Sequence, residues 1–271
     1  MFSVRNLSFQ YPGNAHKALD AVSFELPAGT ITAVLGLSGA GKTTLLNVLG
    51  LLWDGPVQAE RLVYNDAAGR TYDYLHRGAY CWDQVRLCEF GFVMQSAHML
   101  PHFSCGENIA IPLALQGLSR RERRRRISRL LHAADPSGEL GRLRHRLAID
   151  VSGGQRQRMA VLRALVHNPR IVFADEPLSN LDPLNARLTL DLLLRWKKDG
   201  LGTNDNNGRC LVFVTHDVHL SWQHADRFAI LRDGRLDGGQ VLSRADLAPC
   251  GGEDEIRRRM GCAAEEDEVP A

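Results

Sequence analysis

The residues Gly36-Leu37-Ser38-Gly39-Ala40-Gly41-Lys42-Thr43 carry the most explicit chemistry in the chain, because they fit the spacing G-x-x-x-x-G-K-[ST]. Glycines at those intervals let successive backbone N–H groups turn toward phosphate oxygens. A helix starting at Lys42 adds the positive end of its dipole. Lys42 offers β- and γ-phosphates a compact point charge on a flexible stem, and Thr43, followed by Thr44, offers Mg2+ a hydroxyl. The chain uses 29 arginines and only four lysines, Lys17, Lys42, Lys197 and Lys198, so a lysine at this place has a chemical reason. The blander reading is a glycine turn before an unrelated helix. Against it stand a short apolar run before the loop, Ile31–Leu35, and helical apolar spacing after it, Lys42–Leu52.

A nucleotide site of this kind needs an acid at the end of a neighbouring buried strand, and Ile171-Val-Phe-Ala-Asp175-Glu176 supplies two. Asp175 suits a magnesium ion, reached through water. Glu176, one step on, suits a carboxylate that orients an attacking water and accepts its proton. The alternative, that paired acids merely end a strand at the surface, fits less well with four apolar residues running straight into Asp-Glu-Pro. Upstream, Val151-Ser152-Gly153-Gly154-Gln155 forms a compact donor nest at the start of a helix, suited to a γ-phosphate. A second phosphate cradle makes sense if it serves a nucleotide held by another copy.

With these motifs in order, residues 2–240 resemble the nucleotide-binding subunit of an ATP-binding-cassette (ABC) transporter. The resemblance implies ATP and Mg2+ as cofactors and an ATPase reaction. Glu176, His216, Gln95 and Lys42 take the catalytic roles, and Thr43, Gln95 and Asp175 hold the metal. Tyr11 matches the aromatic that stacks on adenine, although alone it reads as a turn residue. Gln95 matches the loop glutamine, and His216 the histidine touching the γ-phosphate. Ser179-Asn-Leu-Asp182 matches the loop that communicates across a dimer. The family arrangement is a head-to-tail dimer, of like or unlike chains, with each ATP between one copy's Gly36–Thr44 and the other's Ser152, Gly153, Gly154 and Gln155. Gly91-Phe-Val-Met-Gln95, Met99-Leu-Pro-His-Phe-Ser104 and Glu107-Asn-Ile-Ala-Ile-Pro112-Leu are similar to the lipoprotein-release, macrolide-export and cell-division branch (LolD, MacB and FtsE type). That branch implies a permease partner in the inner membrane, moved mechanically from its cytoplasmic face. Ala40, Val151 and Leu178 depart from the commonest family residues at places where the backbone does the work. An ABC ATPase acting on DNA or in cell division shares the signature, but the long heptad coiled coils of chromosome-acting forms are missing. A small-molecule kinase would lack Ser-Gly-Gly-Gln.

The elements that must position these residues point to an α/β fold. Its parts are a P-loop NTPase core, an antiparallel β subdomain, and an α-helical subdomain inserted at about residues 97–150. The domain spans 1–245, with 246–271 a partly disordered tail. Phe2, Val4, Leu7 and Phe9, then Val22, Phe24 and Leu26, alternate as an antiparallel pair around the turn Tyr11-Pro-Gly-Asn14. Arg61–Tyr64 and Phe90–Met94 read as strands, whereas the stretch from Gly55 to Leu87 gives no clean period. Helical patterns run from Cys105 to about Arg146, broken at Pro112, Gly117 and Pro136-Ser-Gly138, and again over Arg156–His167 and Asn185–Lys198. Ile171–Ala174 and Leu211–Thr215 are apolar throughout, as in a sheet covered on both faces. Phe228–Leu231, Asp233-Gly234 and Arg235–Asp237 form a hairpin, and Gly200–Gly208 a turn-rich insert.

Composition narrows the rest. Lys and Arg total 33 against 31 Asp and Glu in 271 residues, a formal +2, which disfavours a protein built to coat nucleic acid. The 44% apolar content suffices for a substantial core. No apolar run reaches membrane-spanning length and the N-terminus lacks a signal-peptide pattern, so a cytoplasmic chain is expected. Six scattered cysteines without a C-x-x-C pair read as reduced thiols. Arg120–Arg129 holds seven arginines and one glutamate, either a solvated helix face with Leu118, Ile127, Leu130 and Leu131 turned inward or a patch drawn to anionic lipid. The mixed-charge tail past Glu253 is expected to fray.

Overall fold

The computed structural model describes residues 1–53, 57–201 and 208–262. They form two compact units, Met1–Arg77 with the segment from Val214 onward, and Gly78–Phe213. The first unit opens with β1 (Phe2–Phe9), β2 (Leu19–Leu26), β3 (Ile31–Leu35), α1 (Lys42–Leu49), β4 (Arg61–Asn65) and β5 (Thr71–Asp73). The second holds α2 (Trp82–Glu89), β6 (Phe90–Val93), α3 (Cys105–Leu115), α4 (Arg120–Ala134) and α5 (Glu139–Leu143). It continues with α6 (Gly153–Leu165), β7 (Ile171–Asp175), α7 (Pro183–Asp199) and β8 (Cys210–Val214). The chain then returns to the first unit with α8 (Val218–His224), β9 (Arg227–Arg232), β10 (Arg235–Leu236), β11 (Leu242–Ser243), α9 (Arg244–Leu247) and α10 (Glu253–Met260).

In the first unit an antiparallel sheet runs in the order β2-β1-β4-β5. Phe2, Val4, Leu7 and Phe9 of β1 are all buried, so one face of the alternating strand is core. The register pairs Val4 with Phe24 and Leu7 with Val22, and shifts between them, where Asn6 takes a φ of 56°. The same unit contributes β3 and β9 to a second sheet, where they pair in parallel with Leu35 opposite Ile230. The expected hairpin from β9 to β10 turns through Asp233 (φ 49°) and Gly234 (φ 76°), the positive-φ pair that a tight two-residue connection requires.

The end of the chain differs from expectation. Glu253–Met260 is a helix rather than a frayed tail: Ile256 and Met260, one turn apart, are buried, acids fill its first turn and arginines its last. That charge order complements the helix dipole. Arg259 also donates to Asp237, fastening the helix to the segment after β10. Residues 263–271 of the expected tail lie outside the described residues.

In the second unit β7 lies between β6 and β8, and β6 and β7 pair in parallel from Phe90–Ile171 to Val93–Ala174. Ile171 to Ala174 are completely buried, which explains their unbroken apolar run. The helical stretch appears as α3, α4 and α5, separated at Gly117 and at Pro136-Ser-Gly138 as expected. Pro112 does not break it: α3 carries the proline inside and ends one turn later at Gln116 and Gly117 (φ 78°). The helix is anchored instead at its start, where Ser104 and Glu107 cap each other's N–H groups. Ile127, Leu130 and Leu131 of α4 are buried, leaving its arginines on the outer side. Gly200 (φ 71°) closes α7, and residues 202–207 of the expected insert lie outside the described residues.

Candidate functional site

The expected site residues divide between the two units, and the contacts described below run within each of them. In the first, β3 delivers the loop Gly36–Gly41 to the head of α1. Gly36 has φ 148°, and a Cβ there would run into the carbonyl oxygen of Leu231; Gly41 has φ 97°, and a Cβ would strike that of Ala18. Both glycines are therefore demanded by conformation and by space. Gly39 (φ 79°) has open space around it and answers to conformation alone. Leu37, Ser38 and Gly39 are exposed while Ala40 is buried, so the crest of the loop faces solvent. Gly41 gives α1 no side-chain cap, and no acid occupies the first turn, leaving the positive helix end clear for an anion. Lys42 is buried, and its Nζ donates to the carbonyls of Gly36 (2.8 Å) and Leu37 (2.9 Å), bracing the loop it serves.

Thr43 is exposed at the same helix end; Thr44 is buried. The Thr44 hydroxyl lies 3.2 Å from that of Tyr11, so these two expected nucleotide contacts also meet each other. Tyr11 packs edge-on against Phe9 (ring centroids 4.8 Å) and Trp53 (5.4 Å), which in turn pack against each other at 5.1 Å. This three-ring cluster fixes the face that Tyr11 presents, and Trp53 was not foreseen. The only sequence signal for it is an aromatic ending the apolar run after the loop. His216 is exposed, two residues beyond β8. The preceding Thr215 donates its N–H to Val34 of β3 (3.2 Å), which holds the histidine segment to the strand that feeds the loop.

In the second unit the parallel register of β6 and β7 sets Gln95 and Glu176 at corresponding positions beyond the paired strands. Gln95 Nε2 lies 3.5 Å from Glu176 Oε2, a long contact between an exposed amide and a half-buried carboxylate. Asp175 is the half-buried last residue of β7. Glu176 takes φ 44°, a left-handed conformation costly for a glutamate. Its carbonyl accepts from the Ser179 N–H (3.2 Å) and hydroxyl (2.8 Å).

Ser152 caps α6 and forms a reciprocal box with Gln155, each accepting the other's N–H at 3.2 Å. Gln155 also donates to Glu139 (3.3 Å), and Arg158, hydrogen-bonded to Glu139, holds that carboxyl below its usual range. Ser152 and Gly153 are exposed, whereas Gly154 is buried beneath Asn185, whose carboxamide a Cβ at 154 would overlap. Asn185 donates its backbone N–H (3.0 Å) and its Nδ2 (2.6 Å) to the two oxygens of Asp182, the cap of α7. These bonds hold the Asp182 pKa down. Asn185 thus joins the Ser-Gly-Gly turn to the Asp182 loop, a link the sequence reading missed because the residue carries no motif.

Magnesium takes oxygen ligands, and the expected donors are of that kind: the Thr43 hydroxyl, the Gln95 amide oxygen and the Asp175 carboxylate. Among the described residues no three or more His, Cys, Asp or Glu gather as a metal cage. By chemical type alone, a hydroxyl, an amide oxygen and a carboxylate suit an ion that keeps water and phosphate oxygens among its ligands.

The family profile for ABC transporter matches residues 19–179. Over 231 residues the chain is 34% identical to the macrolide export ATP-binding/permease protein MacB of Wolinella succinogenes, covering 84% of this chain and 32% of that protein. Over 243 residues it is 36% identical to the lipoprotein-releasing system ATP-binding protein LolD of Syntrophus aciditrophicus, covering 87% of this chain and 98% of that one. Its fold matches an ATP-binding cassette solved as a dimer in a post-hydrolysis state bound to ADP and Pi. The TM-score is 0.73 at 26% identity, over 90% of this chain and 98% of the other. The chain thus spans about a third of the MacB relative's length and nearly all of LolD's.

Proposed function

The chain belongs to the ABC transporter family as an ATP-hydrolysing subunit, and on that premise we propose how its residues divide the work. ATP places its phosphates against the backbone of Gly36–Thr44 and the ammonium of Lys42, with its adenine on Tyr11. Thr43, Asp175 and Gln95 would hold Mg2+, and the ion, when bound, would supply charge neutralisation at the phosphoryl group. Glu176 accepts a proton from the attacking water, Gln95 orients that water, and His216 bonds the γ-phosphate. A second nucleotide-binding subunit supplies Ser152, Gly153, Gly154 and Gln155 to the far side of the same ATP, with Asp182 facing the join. Catalysis then consists of positioning and charge stabilisation.

What supports this reading most directly is the loop itself. Two of its glycines stand where any side chain would meet a carbonyl, and its lysine is bonded across the turn, an arrangement that leaves backbone N–H groups as the natural lining for a phosphate.

The partner proposed for the second unit is an integral membrane permease, with the chain peripheral to the cytoplasmic face of the inner membrane. Leu100, Phe103, Leu147 and Ile149 are 40–55% exposed. Their segments are zipped together by Ala148 to Phe103 (3.0 Å) and Ile149 to Pro101 (3.2 Å) backbone bonds. An apolar cluster held open to solvent in this way suits a protein contact. Among the described residues no helix is long and apolar enough to cross a membrane. The cargo is one that the permease, moved by ATP-driven closure, exports or releases, in keeping with macrolide export for MacB and lipoprotein release for the LolD system.

Glu176→Gln tests the chemistry. It keeps shape and hydrogen-bonding length but removes the proton acceptor, so turnover should fall about 10²–10⁴-fold. ATP should still bind, and the variant should elute as an ATP-dependent dimer on size exclusion. Turnover at the parental rate would overturn the assignment of the base.

A further inference from the structure

Gln157 is the fifth residue of α6, and its side chain is only 4% exposed. Its Nε2 donates to two main-chain carbonyls, those of Met94 and Pro177, both at 3.1 Å. A carboxamide nitrogen has two hydrogens, so both are engaged. Met94 immediately precedes Gln95, and Pro177 immediately follows Glu176. One buried amide therefore ties together the backbone on either side of the Gln95–Glu176 pair, whose side chains are 3.5 Å apart. Glu176 needs such support, because a glutamate at φ 44° persists only where its surroundings over-determine the backbone. Ser179 holds the Glu176 carbonyl from one side, and Gln157 holds the next carbonyl along.

We infer that Gln157 is a positioning residue for ATP hydrolysis, a buried clamp that aims the Glu176 carboxylate and sets its distance from Gln95 through two backbone carbonyls. The inference rests on the reading of Glu176 as the group that takes the water's proton. Removing both donors releases the segments on either side of the pair, so the carboxylate loses its aim while nucleotide binding at Gly36–Thr44 is untouched. A misplacement of this kind lowers the rate of the chemical step more than it changes the affinity for substrate.

The test uses the full chain with ATP and Mg2+. Gln157→Met keeps the volume and the apolar stem but has no donor; it should lower kcat at least about 10-fold with KM for ATP within about threefold. The rate is taken well below the melting temperature of each variant, where a merely structural role would leave kcat unchanged. In a Glu176→Gln background the added Gln157→Met should cost nothing further, because there is no base left to aim. Gln157→Asn, whose shorter amide reaches one carbonyl, should give an intermediate kcat and decides the matter if the methionine variant does not fold. A parental kcat in these variants, or an undiminished loss in the Glu176→Gln background, overturns the clamp. A parental rate in Glu176→Gln alone would instead refute the base reading, and this inference with it.

Discussion

Lowering the pH from 7 to 5 should weaken the fold through His167, by an amount that its surroundings set. His167 follows α6, and its Nε2 donates to the carbonyl of Phe90, the first residue of β6, at 2.9 Å. That bond places the ring hydrogen on Nε2 and leaves Nδ1 as the atom that must take up a proton. The residue as a whole is half-buried, but Nδ1 itself is sealed from water and has no hydrogen-bond partner among the described residues. Burial therefore pushes the imidazole pKa down from its usual 6.5 to about 4, against a smaller upward pull from the Phe90 carbonyl. In the unfolded chain the ring titrates near 6.5. A folded pKa below the unfolded one means that the unfolded chain binds more protons between the two values. Stability is thus full above about 6.5 and is lost as the pH falls toward 4. At pH 5 the linkage relation gives a loss of about 2 kcal/mol relative to pH 7. Urea unfolding of the parent and of His167→Gln at both pH values measures it, since glutamine can still donate to Phe90 but does not titrate. The parent should lose about 2 kcal/mol more than the variant. Equal losses would refute the argument, because carboxylates that titrate in the same range are common to both proteins.

Two further outcomes follow from single positions. Gly41→Ala meets both a φ of 97° and the Ala18 carbonyl, so unfolding in urea should show a loss of about 2–4 kcal/mol together with weaker ATP binding. A variant within about 0.5 kcal/mol of the parent would mean that the loop is not held in this way. Ile256→Ala removes a side chain with no exposure and should cost about 2–4 kcal/mol, whereas a frayed terminus would show no change in its melt.

How much of the fold was legible depended on whether an element has one face of core and one of solvent. β1 was legible because Phe2, Val4, Leu7 and Phe9 are buried in alternation, and β7 because Ile171 to Ala174 are buried without a break. β5 was not, being three residues with none of them fully buried, and α2 has a single buried side chain, Val85, from which no period can be read. The helix α10 was hidden in a different way. Its two buried apolar residues, Ile256 and Met260, are spaced for a helix, but three arginines between them make the segment look like a solvated charge run. Pro112 misled because a proline costs a helix one hydrogen bond locally, while buried Ile109 and Leu113 hold α3 on both sides of it.

The same division runs through the site, and it explains which residues could be found. Groups proposed to touch a phosphate or a metal must be of particular types at particular spacings, so Lys42, Thr43, Asp175 and Ser152 announced themselves. Gly36 and Gly41 did so because a backbone that bends into positive φ beside a carbonyl admits no other residue. Gln157 and Asn185 act on atoms far away in sequence, two main-chain carbonyls and the carboxylate of Asp182, and any polar residue in an amphipathic helix looks the same. Glu176 lies between these cases. Its φ of 44° is one that glycine or asparagine would adopt at less cost, yet a carboxylate stands there. Conformation alone would not select glutamate at this position, which accords with the acid–base role proposed for it, and the strain passes to the neighbours that hold it. Ser179 and Gln157, bonded to consecutive carbonyls, are those neighbours. On the proposed reading of Glu176 as the acid–base group, these two bonds are what hold its strained backbone in place, and no spacing rule could reveal them.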